Sequence, residues 1–308
     1  MARKRRGKPI HGWLVIDKPP GMTSSAVVGK VLKLTQAAKA GHGGTLDPLA
    51  TGVLPVALGE ATKTVSYIMG GAKTYTFTVR WGEATTTDDA QGDIREISDV
   101  RPSADDIRGA LGRFQGEIEQ LPPLFSAVKI DGRRAYQLAR ADEEVELEPR
   151  TVRVDSFELV RLIDADHTEF TVVCGKGTYM RSLARDLGLE LGTFGHITAL
   201  RRTSVGPFGE ESAISLDNLS SLGHSSPLSD YLLPVETALA DIPALALTEA
   251  EGRRLQHGQA VSIIPVASRY PIDNIDQGAV VCAMAEGKPV ALAKIIGAEI
   301  RPFRVLNL

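Results

Sequence analysis

One carboxylate in this chain is placed as a reactive group would be. Asp47 lies within Gly41-His42-Gly43-Gly44-Thr45-Leu46-Asp47-Pro48-Leu49-Ala50-Thr51-Gly52-Val53-Leu54-Pro55. The upstream glycines permit a tight turn or a close approach of backbone to a ligand, and Pro48 disfavours the α region for its predecessor, which holds Asp47 extended. A loop bent and stiffened in this way presents a side chain. An ionised carboxylate so presented can act as a nucleophile, forming a covalent intermediate that divides one hard step into easier ones. Excluded from water it would take up a proton unless a cation or hydrogen bonds held it ionised, so Asp47 needs a partner. A lone Asp-Pro pair reads more simply as a turn in which the carboxylate bonds its own backbone. A run this long and this specific does not.

Helices and strands alternate around that loop. Ser24 or Ser25 can cap a helix carrying Val27, Val28, Val31 and Leu32, and Ser103 can cap another with Ile107, Leu111 and Phe114 on one stripe. Lys73–Trp81 alternates as a strand with Tyr75, Phe77, Val79 and Trp81 on one face, so Tyr75 reads first as a core residue. A strand over 169–174 ends at Gly175 and gives way to a helix bearing Leu183, Leu187 and Leu191, with Arg181 near its start. The Gly175-Lys176-Gly177 turn lacks the Walker spacing, which rules out that nucleotide loop. From about 216 to 242 the chain turns to Ser, Gly, Pro and Leu without strong periodicity, and reads as a connection. Beyond it come a short helix over 248–255 and strands over 279–284 and 290–294 around a turn at Glu286-Gly287.

Composition alone points nowhere specific. A chain of 308 residues, 43% hydrophobic and 24% charged, is ordinary for a globular protein with room for two domains. Its net charge of −3 gives no hint of nucleic acid, so RNA binding has to rest on local patches. Candidates are the tail with Arg3, Lys4, Arg5, Arg6 and Lys8, the group Lys129, Arg133, Arg134 and Arg140, and Arg181, Arg185, Arg201 and Arg202; each is a phosphate contact or simply a solvated face. The acidic run over 142–148 reads as a solvated loop. Cys174 and Cys282 have no metal-ligating spacing and read as reduced core residues, so no metal is expected. No apolar run is long enough to span a bilayer and no hydrophobic stretch follows the basic start, so a cytoplasmic protein with no membrane contact is expected.

The Asp47 run resembles the signature of the TruB family of pseudouridine synthases, G-H-x-G-x-L-D-P-x-A-T-G. Other blocks are similar to the family in order and spacing over about residues 9 to 206: Asp17-Lys18-Pro19-Pro20-Gly21-Met22-Thr23-Ser24, Arg113-Phe114-Gln115-Gly116, Gln120-Leu121-Pro122-Pro123, Phe125-Ser126-Ala127-Val128-Lys129, Gly132-Arg133-Arg134-Ala135-Tyr136 and Gly175-Lys176-Gly177-Thr178-Tyr179-Met180-Arg181. One departure is Gly43, where the family usually carries a hydroxyl residue; it bears on loop rigidity and not on the chemistry.

The resemblance implies an α+β fold: a basic flexible tail over 1–8, a pseudouridine synthase catalytic domain over 9–242 with a mixed β-sheet and flanking helices, and a small PUA-like β-barrel over 243–308 that binds RNA. Removing that last segment should then raise KM more than it lowers kcat. It implies an isomerase, a tRNA pseudouridine(55) synthase working on the TΨC loop of the tRNA T arm with no cofactor, no metal and no obligate protein partner. Asp47 becomes the nucleophile, adding to uracil C6 or to ribose C1′. Arg181 becomes its cationic partner, where the plainer alternative pairs it with a helix acid such as Asp186. Tyr75 becomes the ring against which the flipped-out uracil stacks. His42 would insert into the RNA loop, Tyr179 and Leu200 would line the base pocket, and Lys18 is either a substrate contact or a solvated turn lysine. The alternatives are a guide-RNA-dependent enzyme of the dyskerin branch, against which Leu49-Ala50 and the short length speak, and a catalytically silent tRNA-binding or tRNA-folding protein.

Overall fold

The computed structural model describes residues 7–126, 147–221, 227–269 and 276–308, together with the backbone of two short strands, Lys129–Ile130 and Arg133–Arg134. The basic tail over 1–6, the side chains of Lys129, Arg133, Arg134 and Arg140, and the acidic run over 142–146 lie outside the described residues.

A ten-stranded mixed sheet forms the frame, its main path running Ala213–Ser215, Gly12–Lys18, Thr51–Leu58, Gly195–Val205, Lys73–Trp81, His167–Cys174, Arg150–Leu162 and Gly116–Gln120. Gly12–Lys18 runs parallel to Ala213–Ser215, and Thr51–Leu58 parallel to Gly195–Val205; the other pairs on this path are antiparallel. Successive side chains of a strand face opposite ways, and here both faces are covered. Leu14 and Ile16 join one core with Val27 and Val31 of the helix Ser24–Thr35, while Trp13 and Val15 join a second with Val53, Ala57 and Phe208. Further along, Phe77, Trp81, Phe157 and Phe170 pack ring on ring with centroids 5.3 to 6.2 Å apart.

Thr23, not Ser24 or Ser25, caps Ser24–Thr35, its hydroxyl accepting from the Ala26 amide at 3.1 Å. Ser24 is drawn inward instead, to the loop that carries Asp47. Ser103 caps Ala104–Leu111 in a reciprocal box with Asp106, and Phe114 falls beyond that helix in a 3-10 turn. The stretch read as a plain connection holds the helix Leu216–Ser221 and the 3-10 turns Leu228–Tyr231 and Val235–Leu239, because Leu216, Leu219 and Val235 have cores to enter.

The C-terminal part is a five-stranded sheet in the order Ala244–Leu247, Val280–Ala285, Lys288–Ile296, Glu299–Val305, Val261–Ser262, curled in the manner of a PUA-like half-barrel. Thr248 caps the helix Glu249–Gln256 and Glu251 completes the box; Leu255 of that helix closes the sheet's own core against Leu245, Val281 and Ile300. The hairpin at Glu286-Gly287 uses two residues at positive φ, 51° and 74°, the conformation that matches strand twist in a tight turn.

The chain end then returns to the large sheet. Leu306 is fully buried beside Trp13, Val53 and Phe208. Lys63 Nζ donates to the Glu60 carboxylate at 2.6 Å and to the Val305 carbonyl at 2.7 Å, and the Asn307 amide donates to Glu60 at 2.8 Å. We expect Leu306→Ala to cost about 2–4 kcal/mol through lost burial and a residual cavity, read as a lower midpoint in urea unfolding. A variant that unfolds with the native chain would show that the tail adds nothing to the core.

Candidate active site

Residues 43–50 connect the strands Ala40–His42 and Thr51–Leu58, which pair antiparallel. The loop they form is gripped from three sides. Ser24 Oγ accepts from the Leu46 amide at 2.8 Å and donates to the Leu46 carbonyl at 3.1 Å. On the downstream flank the Gly21 amide donates to the Pro48 carbonyl at 2.8 Å, and Lys18 Nζ donates to the carbonyls of Pro19, Pro48 and Ala50 at 2.9, 3.1 and 2.6 Å. The Ala50 amide closes a turn on the Asp47 carbonyl at 3.1 Å, so the turn chemistry of an Asp-Pro pair is present as well. It uses the backbone and leaves the carboxylate free.

That carboxylate meets Arg181. Arg181 Nε donates to Asp47 Oδ2 at 2.9 Å, while its two terminal nitrogens donate to the carbonyls of Thr87 and Phe125, each at 3.0 Å. The guanidinium side chain is 4% exposed and the Asp47 side chain 34%, so the pair is dry on the arginine side and open on the carboxylate side. Asp186, the alternative partner, is bonded to Arg185 instead. Arg181 stands in the first turn of the helix Met180–Glu190, whose start lacks a side-chain cap of its own. Gln120 supplies the fixing: buried, it accepts from the Tyr179 amide at 2.8 Å and donates to the Tyr179 carbonyl at 3.1 Å. Ser182 and Arg185 both donate to the Leu121 carbonyl, at 2.8 and 2.9 Å.

A second carboxylate completes the geometry. Asp89 is buried, its Oδ2 lies 3.7 Å from Arg181 Nε, and its Oδ1 accepts from Thr87 Oγ1 at 2.6 Å and from the Gln91 amide at 3.0 Å. Arg181 thus sits between two acids, one partly exposed and one buried. Neither Asp89 nor Gln120 was singled out from the sequence. Asp89 belongs to no stretch with a chemical signature, whereas Gln120 stands in a block similar to the TruB family and could have been noticed there.

Tyr75, Leu200 and Arg202 share one face of the sheet, since Tyr75 is opposite Arg202 and Phe77 opposite Leu200. Tyr75 and Leu200 are 9% and 7% exposed and belong to the core around the helix that carries Arg181, so Tyr75 keeps the core character its strand pattern gave it. Burial raises the Tyr75 hydroxyl above the usual phenol range and the nearby Arg202 charge opposes that shift. Tyr179 is half-buried, and burial raises its hydroxyl too. His42 is also half-buried; burial, and then the Arg202 charge, push its ring below the usual histidine range, which keeps it neutral at pH 7.

Two expectations change. Lys18 is not a solvated turn lysine: it is fully buried, its three hydrogen bonds spent on backbone around Asp47. The arginines read as a phosphate patch are also engaged. Arg185 pairs with Asp88 at 3.1 Å and Asp186 at 2.8 Å, Arg201 with Asp17 at 3.0 Å and Glu210 at 2.5 Å, and Arg202 is buried against backbone carbonyls. Internal acids and carbonyls took the cations that sequence alone left unassigned.

Burial lowers the Lys18 ammonium to about 8, against the pull of Asp47. A base whose folded pKa lies below its unfolded value binds more protons when unfolded, so its contribution to stability rises with pH between about 8 and 10.5. Comparison with Lys18→Met cancels Lys73, which burial also lowers to about 8. We expect the native chain to gain stability relative to Lys18→Met on going from pH 7.5 to pH 9.5 in urea unfolding, by on the order of 1 kcal/mol. A difference independent of pH would mean that the buried Lys18 keeps its proton over this range as the unfolded chain does, so that burial does not lower it.

The chain matches the model described as "TruB family pseudouridylate synthase (N terminal domain)" over residues 32–180, and that described as "tRNA pseudouridylate synthase B C-terminal domain" over 181–240. It is 58% identical over 308 residues to a tRNA pseudouridine synthase B of Rhodospirillum rubrum, and 48% identical over 309 residues to one of Caulobacter vibrioides, covering 100% of both chains in each case. Among solved structures it is similar to that of a Cbf5-Nop10-Gar1 complex, with a TM-score of 0.72 and 29% identity over 99% of this chain and 91% of that one. It is also similar to that of an H/ACA RNP bound to a substrate RNA containing 2′-deoxyuridine, with a TM-score of 0.73 and 26% identity over 100% of this chain and 92% of that one.

Proposed function

The chain belongs to the TruB family of pseudouridylate synthases, and on that premise we propose that it isomerises uridine 55 in the T arm of tRNA, with Asp47 as nucleophile and without a guide RNA. Its activity is that of a tRNA pseudouridine synthase, an isomerase. The observation that carries the assignment of the site is the Asp47 carboxylate held at 2.9 Å by a buried Arg181. Arg181 gives the carboxylate a charge-assisted hydrogen bond, and its bonds to the Thr87 and Phe125 carbonyls aim the fork.

The reaction needs no net change of atoms. Asp47 adds to uracil C6 or to ribose C1′; the N1–C1′ bond breaks and the base turns. C5 then bonds to C1′, the C5 proton is lost, N1 takes one up, and the carboxylate is released as it began. For that the uridine must leave its stack, and we assign Tyr75 to its face, Leu200 and Tyr179 to the walls of its pocket, and His42 to the RNA loop. Lys18 then acts behind the loop. Independence of a guide RNA is supported by identities of 48% and 58% to full-length tRNA enzymes, against 26% and 29% to the Cbf5-type proteins.

We further assign residues 9–242 to the catalytic unit and 243–308 to a PUA-like RNA-binding unit. Removing 243–308 does not test that division cleanly, because it also strips Leu306 from the core beneath Val53. The test of function is direct. The purified chain, incubated alone with an unmodified tRNA transcript and with its isolated T-arm stem-loop, should place pseudouridine at position 55 in both. Modification only in the presence of added guide RNA would move the chain to the dyskerin branch.

A further inference from the structure

Arg202 is among the largest fully buried side chains, 1% exposed, and its bonds among the described residues all run to backbone carbonyls. Nε donates to Val53 at 2.9 Å, one terminal nitrogen to Gly44 at 3.1 Å, and the other, weakly, to Thr45 at 3.4 Å. Those carbonyls stand on opposite flanks of Asp47. A buried cation held only by carbonyls is costly, because no opposite charge offsets its desolvation. A neutral amide could have served the same carbonyls if holding backbone were the whole role.

Three further facts place it. Its strand sets it opposite Tyr75 on one side and Gly52 on the other. The two motif glycines at positive φ are shaped around it. A Cβ on Gly52 (φ 94°) would lie 2.2 Å from the Arg202 carbonyl, and one on Gly44 (φ 137°) 3.4 Å from its guanidinium. The charge also reaches the neighbouring groups: after burial itself it is the next influence on both Tyr75 and His42.

We propose that Arg202 is a positioning residue of the reaction, one guanidinium that locks both flanks of the Asp47 loop to the strand position facing Tyr75, so that nucleophile and stacking ring are held in a single register. The role follows from the planar fork. Its nitrogens point to Gly44, Thr45 and Val53 at fixed angles, which an ammonium on a flexible stem cannot reproduce. The proposal rests on Asp47 as the nucleophile.

The test uses full-length chains and an unmodified tRNA transcript under single-turnover conditions, with rates expressed per folded molecule and folding followed by circular dichroism. We expect Arg202→Lys to lose about 100-fold in rate while its Kd for tRNA stays within about threefold, the split that a misplaced nucleophile gives and a global loss of stability does not. Because Arg202 and Tyr75 are read as one network, the losses of Arg202→Lys and Tyr75→Phe should not multiply in the double variant. Arg202→Gln, which keeps hydrogen bonding and drops charge, is the second variant. A near-native rate in Arg202→Lys, or losses that multiply, overturns the proposal; so does failure of both Arg202→Lys and Arg202→Gln to fold at low temperature, which assigns Arg202 to the framework alone. Asp47→Asn runs alongside: if it turns over, the nucleophile assignment has failed, and if it is inert while Arg202→Lys is normal, only the present proposal has.

Discussion

Asp47→Asn is expected to fold, to bind tRNA about as tightly as the native chain, and to lose at least about 10⁴-fold in turnover, because an amide cannot form the required adduct. The fold should survive. The Asp47 side chain is one-third exposed, and the arginine it leaves behind still has the Thr87 and Phe125 carbonyls and the Asp89 carboxylate at 3.7 Å. The loop should survive too, since Ser24, Lys18 and the Gly21 amide hold its backbone and none of them touches the Asp47 carboxylate. Multiple turnover by Asp47→Asn, measured by pseudouridine formed per enzyme, would remove Asp47 from the chemistry.

Arg181→Lys should be the second largest loss, on the order of 10²–10³-fold in kcat with little change in binding. The guanidinium reaches three acceptors, Asp47, Thr87 and Phe125, with three different nitrogens. An ammonium can sit beside Asp47 or between the carbonyls, not both, and a buried carbonyl left without its donor draws the charge away from the nucleophile. Asp89→Asn should follow in the same direction with a smaller loss, since it acts on Arg181 across 3.7 Å. A near-native kcat for Arg181→Lys would return Arg181 to a structural role.

The sequence made the reactive end of this site legible and left its support hidden. Asp47 stands in a run whose residue types and spacing are unusual enough to be noticed; Arg181 and Lys18 stand in blocks similar to the TruB family, and Tyr75 lies in an ordinary strand to which that resemblance alone assigns a role. The strand Lys73–Trp81 and the capped helix after Ser103 followed from alternation and capping alone. What was missed shares a physical cause. Gln120 and Arg202 act through hydrogen bonds to backbone far away in sequence, and Asp89 through the distant Arg181 across 3.7 Å; nothing in the local pattern of a polar residue tells whether its partner is a group across the fold, an RNA phosphate or water. Arg201 and Arg202 show this side by side, adjacent in sequence, with one bridging Asp17 and Glu210 at the surface and the other sealed under Gly44. The return of Leu306 to the first core was invisible for the same reason, since an apolar residue near a chain end carries no address.

The most direct measurement is base-by-base mapping of pseudouridine in an unmodified tRNA transcript after one turnover with stoichiometric native chain, beside the same reaction with Asp47→Asn. The expected result is one new pseudouridine, at position 55, in the native reaction and none in the other. Pseudouridine at a different position, or equal modification by the two chains, would contradict the account.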